Sequence, residues 1–211
     1  MTAAYDLFIK ELQADGRERL EGFSTGSFAR LTPDERTKVR QALVGLVAQH
    51  DMRAPLPLAV LSPEPDTVAL LEPLAPAAAT AAQATDFELQ VLAALALLTG
   101  KPLVLDALEG VFTKATDNWK RGIAMDGLRW AQPASDASPR LARLVRSMDD
   151  EDLRADAADT LLQRHGWYLT DAATQAEALQ LLRALVDGDA AQRDGALVKV
   201  LKAPIKPLAR P

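Results

Sequence analysis

The sequence predicts an all-α fold of about ten helices arranged as antiparallel pairs. Apolar residues make up 48% of the 211 residues and charged residues 25%, which is typical of a globular chain with a substantial core. Aromatic residues make up only 5%, whereas Ala and Leu, which lose little side-chain entropy in a helix, dominate. β-branched and aromatic residues nowhere cluster with the period-two alternation of a strand.

Two helices are predicted in the first fifty residues. Residues 3–21 place Tyr5, Phe8, Ile9 and Leu12 on one face, with the spacing of a helix. A second helix is predicted to begin at Thr32-Pro33, because Thr caps helices and Pro is favoured at the first helical position, and to end near His50.

Prolines dominate the segment that follows. Four prolines between 54 and 66 permit only short or broken helix there, and a short helix is predicted over 66–72. The Ala-rich stretch 75–84 is predicted to be a loose connector or a weak helix end, and the most mobile segment of the chain. We therefore expect residues 1–75 to form an N-terminal helical cap or a set of divergent repeats.

The remaining helices have clear start and stop signals. Glycines at 100, 166 and 188 mark helix ends, since Gly adopts the left-handed conformation that commonly closes a helix. Helices are predicted to begin at Asp86, Pro102, Asp117, Ser138, Asp149 or Asp150, Thr170 and Asp189.

The second helix of each late pair repeats one pattern. An opening Asp is followed four residues later by Arg121, Arg154 or Arg193, or by Gln90 in the first unit, and then by small residues and Leu. The four starts lie 31, 33 and 39 residues apart, the range of helix-pair repeats. The Asp caps the helix, the small residues permit close helix approach, and we expect the Arg to reach an acid on the neighbouring repeat.

This pattern resembles HEAT-like repeats over residues 86–203, with the best match at Ser138–Gly166. The resemblance implies a right-handed α-solenoid of stacked helix pairs whose curved surface binds protein or nucleic acid. Residues 30–85 fit the pattern poorly because prolines interrupt them. Residues 204–211 are expected to form a flexible tail.

Charge and composition restrict the partners. The net charge of −5 and a pI near 5.1 argue against general nucleic-acid binding, which needs cations to neutralise phosphate. Cysteine is absent, which excludes disulfides and thiolate chemistry. The N-terminus carries Asp6 and Glu11 where a signal peptide is apolar, and the longest apolar run, Val91–Leu98, is too short to cross a bilayer. We expect a cytoplasmic protein that is a monomer or a weak dimer.

No arrangement of residues indicates catalysis. His50 and His165 lie at predicted helix ends, outside any nucleophile motif, where they interact favourably with the helix dipole. The acidic segment 147–152 lacks the alternation and Gly of a calcium loop, and no glycine-rich phosphate loop occurs. The sequence therefore predicts a non-catalytic protein with no cofactor and no metal.

A protein partner is the favoured prediction, bound by the second helices. The candidate contacts are Trp119, Glu151, Asp152, Ala155, Asp159 and Trp167. Trp is enriched at interface anchors, and the acids suit the steering of a basic partner. The sharper hypothesis is an antitoxin-like immunity protein that covers the working surface of a basic toxin domain.

Two alternatives remain open at this stage. A HEAT-like DNA glycosylase would use Trp119, Trp130 and Trp167 with Asp117, and would grip phosphate with Arg140, Arg143 and Arg146. Acids adjacent in sequence favour instead a salt-bridged face for these three arginines. The second alternative is an assembly adaptor, for which an apolar patch on the helices of 86–112 would be the feature to find.

Overall fold

The computed structural model describes residues 1–206, which form twelve α-helices and three 3₁₀ helices and contain no strand. The all-α prediction is therefore confirmed. In chain order the α-helices are α1 (Ala3–Gln13), α2 (Gly16–Leu20), α3 (Pro33–Ala48), α4 (Pro55–Leu61), α5 (Pro65–Leu71), α6 (Asp86–Thr99), α7 (Pro102–Lys114), α8 (Asn118–Trp130), α9 (Ala137–Ser147), α10 (Glu151–Arg164), α11 (Gln175–Val186) and α12 (Ala190–Lys202). The 3₁₀ helices are Thr25–Arg30, Glu72–Leu74 and Ala78–Gln83.

Local capping signals determine most helix starts. Thr32 and Glu35 form a capping box at the start of α3, and the Asp117, Asp150 and Asp189 side chains accept hydrogen bonds from the first turns of α8, α10 and α12. The predicted start of α6 at Asp86 is confirmed, although Thr85 rather than Asp86 caps it. Helix α11 begins at Gln175, five residues after the predicted Thr170, because turns intervene.

More helices form than the predicted ten because the N-terminal region is divided into short ones. The predicted helix over 3–21 is broken where Ala14 and Asp15 adopt extended backbone. Among the prolines, α4 and α5 each form two turns with Pro at an N-terminal position, where its missing N–H costs nothing. Helix α4 packs against α3 and α6, and all seven of its residues are buried.

Helix α6 lies at the centre of the molecule. Phe87, Val91 and Leu95 belong to the hydrophobic cluster of the N-terminal region, whereas Leu89 and Leu92 belong to the cluster that extends through α7–α12. A helix covered on both sides must be apolar nearly all round. The two clusters account for the run of apolar residues in α6, which the adaptor alternative would assign to an exposed apolar patch.

Helices α6, α8 and α10 lie side by side, as predicted for the second helices of the pairs, with α7 packed on α8 and α9 packed on α10. The prediction is wrong for the last pair. It is α11 that packs beside α10, while α12 packs against α11 and α9. The row therefore continues from α10 into the first helix of the final pair.

Two segments expected to be loose contact the core instead. The 3₁₀ helix Ala78–Gln83 packs against α7, with Ala81 fully buried. In the predicted tail, the Lys206 amide donates to the Arg164 carbonyl at 3.0 Å. The rest of that tail, residues 207–211, lies outside the described residues, and the predicted boundaries at 75, 86 and 203 stay predictions. Within residues 1–206, no helix combines the length and the hydropathy needed to cross a membrane.

Candidate functional site

The repeated arginines bind helix ends rather than acids. Arg121 Nε donates to the Ala115 carbonyl at 2.7 Å, just after α7, and Arg193 Nε donates to the Leu185 carbonyl of α11 at 3.1 Å. These carbonyls lack partners inside their own helices. Among residues 1–206 neither guanidinium forms an ion pair with an acid of the neighbouring repeat, because each closes the turn between two paired helices, although Arg121 still attracts the nearby Asp156 of α10. Arg154 is partly buried, and its Nε has no hydrogen-bond partner in the described part of the chain.

A buried arginine closes the end of α8. Arg164 Nη1 donates to the carbonyls of Leu128, Arg129 and Ala131 at 2.7–3.0 Å, and its Nε donates to Ser138 Oγ at 3.3 Å. Burial lowers its pKa to about 10. The last carbonyls of α8 would otherwise be buried without donors, so Arg164 joins α8 to the end of α10.

Ser138 and His165 form the contact closest to a catalytic pair. His165 Nε2 lies 3.1 Å from Ser138 Oγ, and Nδ1 lies 2.7 Å from the Ala203 carbonyl oxygen. A histidine that donates from Nδ1 and accepts at Nε2 could activate a serine. Both side chains, however, are more than 95% buried, so the hydroxyl has no open side for a substrate. The pair joins α9, α10 and the end of α12.

Carboxylates line the exposed side of α10. Asp152, Asp156, Asp159 and Gln163 follow the i, i+4, i+7, i+11 spacing of a single helix face. The sequence prediction placed Glu151, Asp152, Ala155 and Asp159 together. In the structure Glu151 is exposed in the first turn and Ala155 is half-buried at the edge. Asp156 was missed, although its spacing of four from Asp152 and three from Asp159 was visible in the sequence.

The exposed side of α8 continues this surface. Trp119, Gly122, Asp126 and Arg129 share one face of α8, and the Trp119 side chain is 53% exposed. Arg129 pairs with Asp126 and donates from Nη1 to Gln163 Oε1 at 2.7 Å, which joins the two helix faces. We name Asp126, Asp152, Asp156 and Asp159 the acidic face.

The surroundings of the acidic face disfavour negative charge on three of its carboxylates. Burial raises the pKa of Asp126 against the effect of Arg129, and it raises the pKa of Asp159 although the Gln163 amide donates to Asp159 Oδ2 at 2.6 Å and Arg129 also opposes the shift. Burial also raises the pKa of Asp156, and the nearby Asp159 and Asp152 carboxylates raise it further. A raised carboxyl pKa means that the environment disfavours the negative charge. A cation placed against this face would relieve that penalty.

The arginines proposed to grip phosphate are already paired. Arg140 forms ion pairs with Asp106, with Glu109 at 3.1 Å and with Asp136 at 3.0 Å. Burial lowers the pKa of Arg140, but Asp136 and Asp106 together raise it by more, so the pKa lies above its usual value. Arg143 contacts Glu109 and Arg146 contacts Asp194, both at 2.7 Å. These contacts agree with the salt-bridged interpretation of the three arginines.

The tryptophans do not gather around one pocket. Trp119 and Trp130 lie at the two ends of α8, roughly 16 Å apart along a helix that rises 1.5 Å per residue. Trp167 follows α10, packs partly buried against the core, and hydrogen-bonds to Glu177. Asp117 accepts a hydrogen bond from the Trp119 amide at 2.8 Å, which occupies it as a helix cap.

No family model, curated protein or solved structure matches this chain. Among residues 1–206, no three His, Asp or Glu side chains are grouped so that they could hold a metal ion. The acidic face and the exposed Trp119, which lie on α8 and α10, form the candidate site.

Proposed function

We propose that this chain is a non-catalytic, protein-binding helical-repeat protein whose acidic face covers a basic surface of its partner. The observation that carries the proposal is the crowding of four carboxylates on the adjoining exposed sides of α8 and α10, with the pKa raised for three of them. A partner that places Lys or Arg against this face gains the attraction to its carboxylates and offsets the repulsion at Asp156.

Within this class, an immunity protein that blocks a basic toxin domain remains the sharper hypothesis. The net charge of −5 would speed encounter with such a partner, because complementary fields raise association rates. The side-by-side packing of α6, α8 and α10 supports the HEAT-like interpretation, in which these helices form the binding surface. Occlusion is then the mechanism, since the partner's working surface lies under the acidic face.

The first test asks whether the neighbouring gene encodes the partner. Expression of that gene alone should stop cell growth, co-expression of this chain should restore it, and the two purified proteins should bind by calorimetry. A neighbouring product that is harmless and unbound would refute the immunity hypothesis.

A second test asks whether the acidic face makes the contact. The triple change Asp152→Asn, Asp156→Asn and Asp159→Asn should weaken partner binding by roughly tenfold or more, mostly at low salt. The matched control neutralises three exposed acids elsewhere, Asp34, Asp66 and Asp187. Equal weakening by both triples would mean that net charge acts alone, which would contradict a specific acidic face.

The alternatives have less support. A glycosylase would need its aromatic residues to meet at one base, and Trp119 and Trp130 lie at opposite ends of α8. An adaptor would need an apolar surface on α6 or α7. Helix α6 is covered by two hydrophobic clusters, and within residues 86–112 the large apolar side chain that is exposed is Leu103, at 75%.

A further inference from the structure

A small groove lies where the exposed side of α8 meets the N-terminal region, and most of its lining is apolar. Its volume is ≈ 180 Å³. Pockets for drug-sized ligands measure about 300–1,000 Å³, so this groove accommodates one side chain rather than a cofactor. The apolar side chains that line it come from α4, from α8 and from two turns of the N-terminal region: Phe23, Met52, Leu56, Pro57 and Trp119.

The polar groups of the groove do not suit a charged occupant. Arg53 is 6% exposed, and its guanidinium donates from Nε to Asp51 at 3.0 Å, from Nη2 to Asp51 at 2.8 Å and from Nη1 to a carbonyl of α1 at 3.3 Å. A cation would meet Arg53, which shares the Asp51 carboxylate with Arg19. The Thr25 hydroxyl is shielded from solvent, and Glu21 is exposed and keeps its water. A charged side chain would lose its hydration here without gaining a partner, so the groove favours an apolar one.

Trp119 is the exposed wall of the groove. Its side chain is 53% exposed, and its amide donates to the Asp117 carboxylate at 2.8 Å, which fixes the first turn of α8. The opposite wall belongs to α4, whose residues are all buried. A ligand therefore meets a preformed surface, which lowers the entropic cost of binding, and it gains free energy by removing the indole from water.

The groove leads onto the acidic face across Gly122. Arg129 of α8 donates to Gln163 of α10 at 2.7 Å. Arg121, earlier in α8, attracts Asp156, earlier in α10. The two helices therefore run in the same direction, and Gly122 lies beside Asp156. Gly122 is exposed, and a Cβ built on it meets no atom within 4 Å, so a bound segment can cross α8 there.

The path from Trp119 to Asp156 defines the spacing of a ligand. It covers three residues of α8, at 1.5 Å each, and one spacing between packed helices of about 8–10 Å. The two steps together span about 10 Å. A segment in the polyproline II conformation advances about 3.1 Å per residue, and its side chains point the same way every third residue. Side chains three residues apart would thus reach the groove and Asp156 together.

We infer that the groove holds one large apolar side chain of the basic partner, and that a Lys or Arg three residues away in the partner pairs with Asp156. A Phe ring suits the groove, because it can stack against the indole of Trp119. Burial of the ring supplies affinity and fixes the register, whereas the cation supplies charge complementarity. The inference rests on the proposed function, because it takes the partner to be basic.

The direct test uses short peptides on the full chain. The probe is N-acetyl-Phe-Gly-Gly-Lys-amide, and the matched peptides replace Phe by Ala, replace Lys by Gln, or place Lys directly after Phe. The indole N–H resonances are followed by NMR. The Trp119 resonance, assigned by its loss in Trp119→Phe, should shift and saturate with the probe. The resonances of Trp130 and Trp167 are internal references and should not move.

The probe should bind roughly tenfold tighter than the Ala peptide, because the ring is buried. It should bind roughly threefold tighter than the Gln peptide and the adjacent-Lys peptide at low salt, and added salt should remove this difference. Equal affinity of the Phe and Ala peptides would overturn the inference. Equal affinity of the Lys and Gln peptides at low salt would overturn the pairing with Asp156, and so would a Trp119 resonance that never shifts.

Variants identify the groups that contact the peptide. Trp119→Ala should abolish binding of the probe. Gln90 is half-buried and lines the groove, so Gln90→Leu should tighten binding several-fold by removing an amide that an apolar ring covers. Weaker binding by Gln90→Leu would indicate a polar occupant and contradict the inference.

A second variant tests the cation. Asp156→Asn should reduce the affinity of the probe to that of the Gln peptide and leave the Gln peptide unchanged, which isolates the contact between the two charges. The matched controls are Leu103→Ala, at a more exposed apolar residue, and Asp34→Asn, at an exposed acid of α3. An equal loss in Asp34→Asn would mean that net charge acts alone, which would contradict the pairing with Asp156.

The same variants separate this inference from the proposed function. If the acidic-face triple weakens binding of the whole partner and Trp119→Ala does not, the groove inference fails while the proposed function stands. If Trp119→Ala weakens partner binding and the triple does not, the apolar contact stands and the acidic face fails.

Discussion

Polar groups on the buried side of α8 and α10 are paired with one another, whereas carboxylates crowd together on the exposed side. On the buried side, at the ends of these helices, Arg164 and His165 satisfy their donors and acceptors with carbonyls and Ser138. On the exposed side, burial and the nearby Asp159 and Asp152 carboxylates raise the pKa of Asp156, so its negative charge is disfavoured. Burying an unpaired polar group costs free energy, so the inner set is needed for the fold. The outer set is paired only in part, through Arg129 with Asp126 and through Gln163 with Asp159, and we assign its remaining negative charge to binding.

The largest effect is expected from Arg164. Arg164→Ala removes the donor to three carbonyls at the end of α8 and should lower the free energy of unfolding by about 3 kcal/mol, measured by urea denaturation. Arg183→Ala is the control, because Arg183 is exposed in the last turn of α11, and it should change stability by no more than about 0.5 kcal/mol. A loss below about 1 kcal/mol for Arg164→Ala would show that water replaces the guanidinium there.

His165 should make stability depend on pH. Burial lowers its pKa below the usual 6.5, and the neighbouring Arg164 lowers it further, while the bond to the Ala203 carbonyl opposes the shift. The unfolded chain therefore binds a proton near pH 6.5 while the folded chain does not, so stability is complete above pH 6.5 and falls as the pH drops below it.

The measurement is the unfolding temperature from pH 8 to pH 5 for the wild type and for His165→Asn. The wild type should lose stability over this range and the variant should lose less. Parallel curves for the two proteins would mean that His165 titrates normally. That result would require the contact of His165 with Ser138 and the Ala203 carbonyl to open to water.

Local features could be predicted from the sequence, and long-range ones only where a repeat indicated them, as for the row of α6, α8 and α10. The caps at Thr32 and Asp117 depend on three or four adjacent residues, so their signals are visible in the chain. Asp156 was visible too, but the exposed face of α10 was predicted as the side opposite Leu153, Ala157 and Leu161, and Asp156 was left out of it. A small groove is lined by residues 21–25, 52–57, 90 and 119, and no local pattern in the sequence predicts that these distant residues meet. The packing of α11 rather than α12 beside α10 likewise depends on tertiary contacts that no local pattern indicates.

The smallest effect, and the sharpest test of the contrast, is expected at Asp156. Asp156→Asn removes one of two like charges at i and i+4 and should raise the free energy of unfolding by about 0.2–0.5 kcal/mol at low salt. The gain should shrink at high salt, because solvent ions screen exposed charges. Asp34→Asn, in the exposed first turn of α3, is the control for the loss of one charge, and it should not stabilise the protein because Asp34 lies at the positive end of the helix dipole. A stabilisation confined to Asp156→Asn would show that the acidic face opposes folding, so that its carboxylates serve another purpose. A destabilisation would instead assign Asp156 to the fold, through its attraction to Arg121, and would remove it from the binding face.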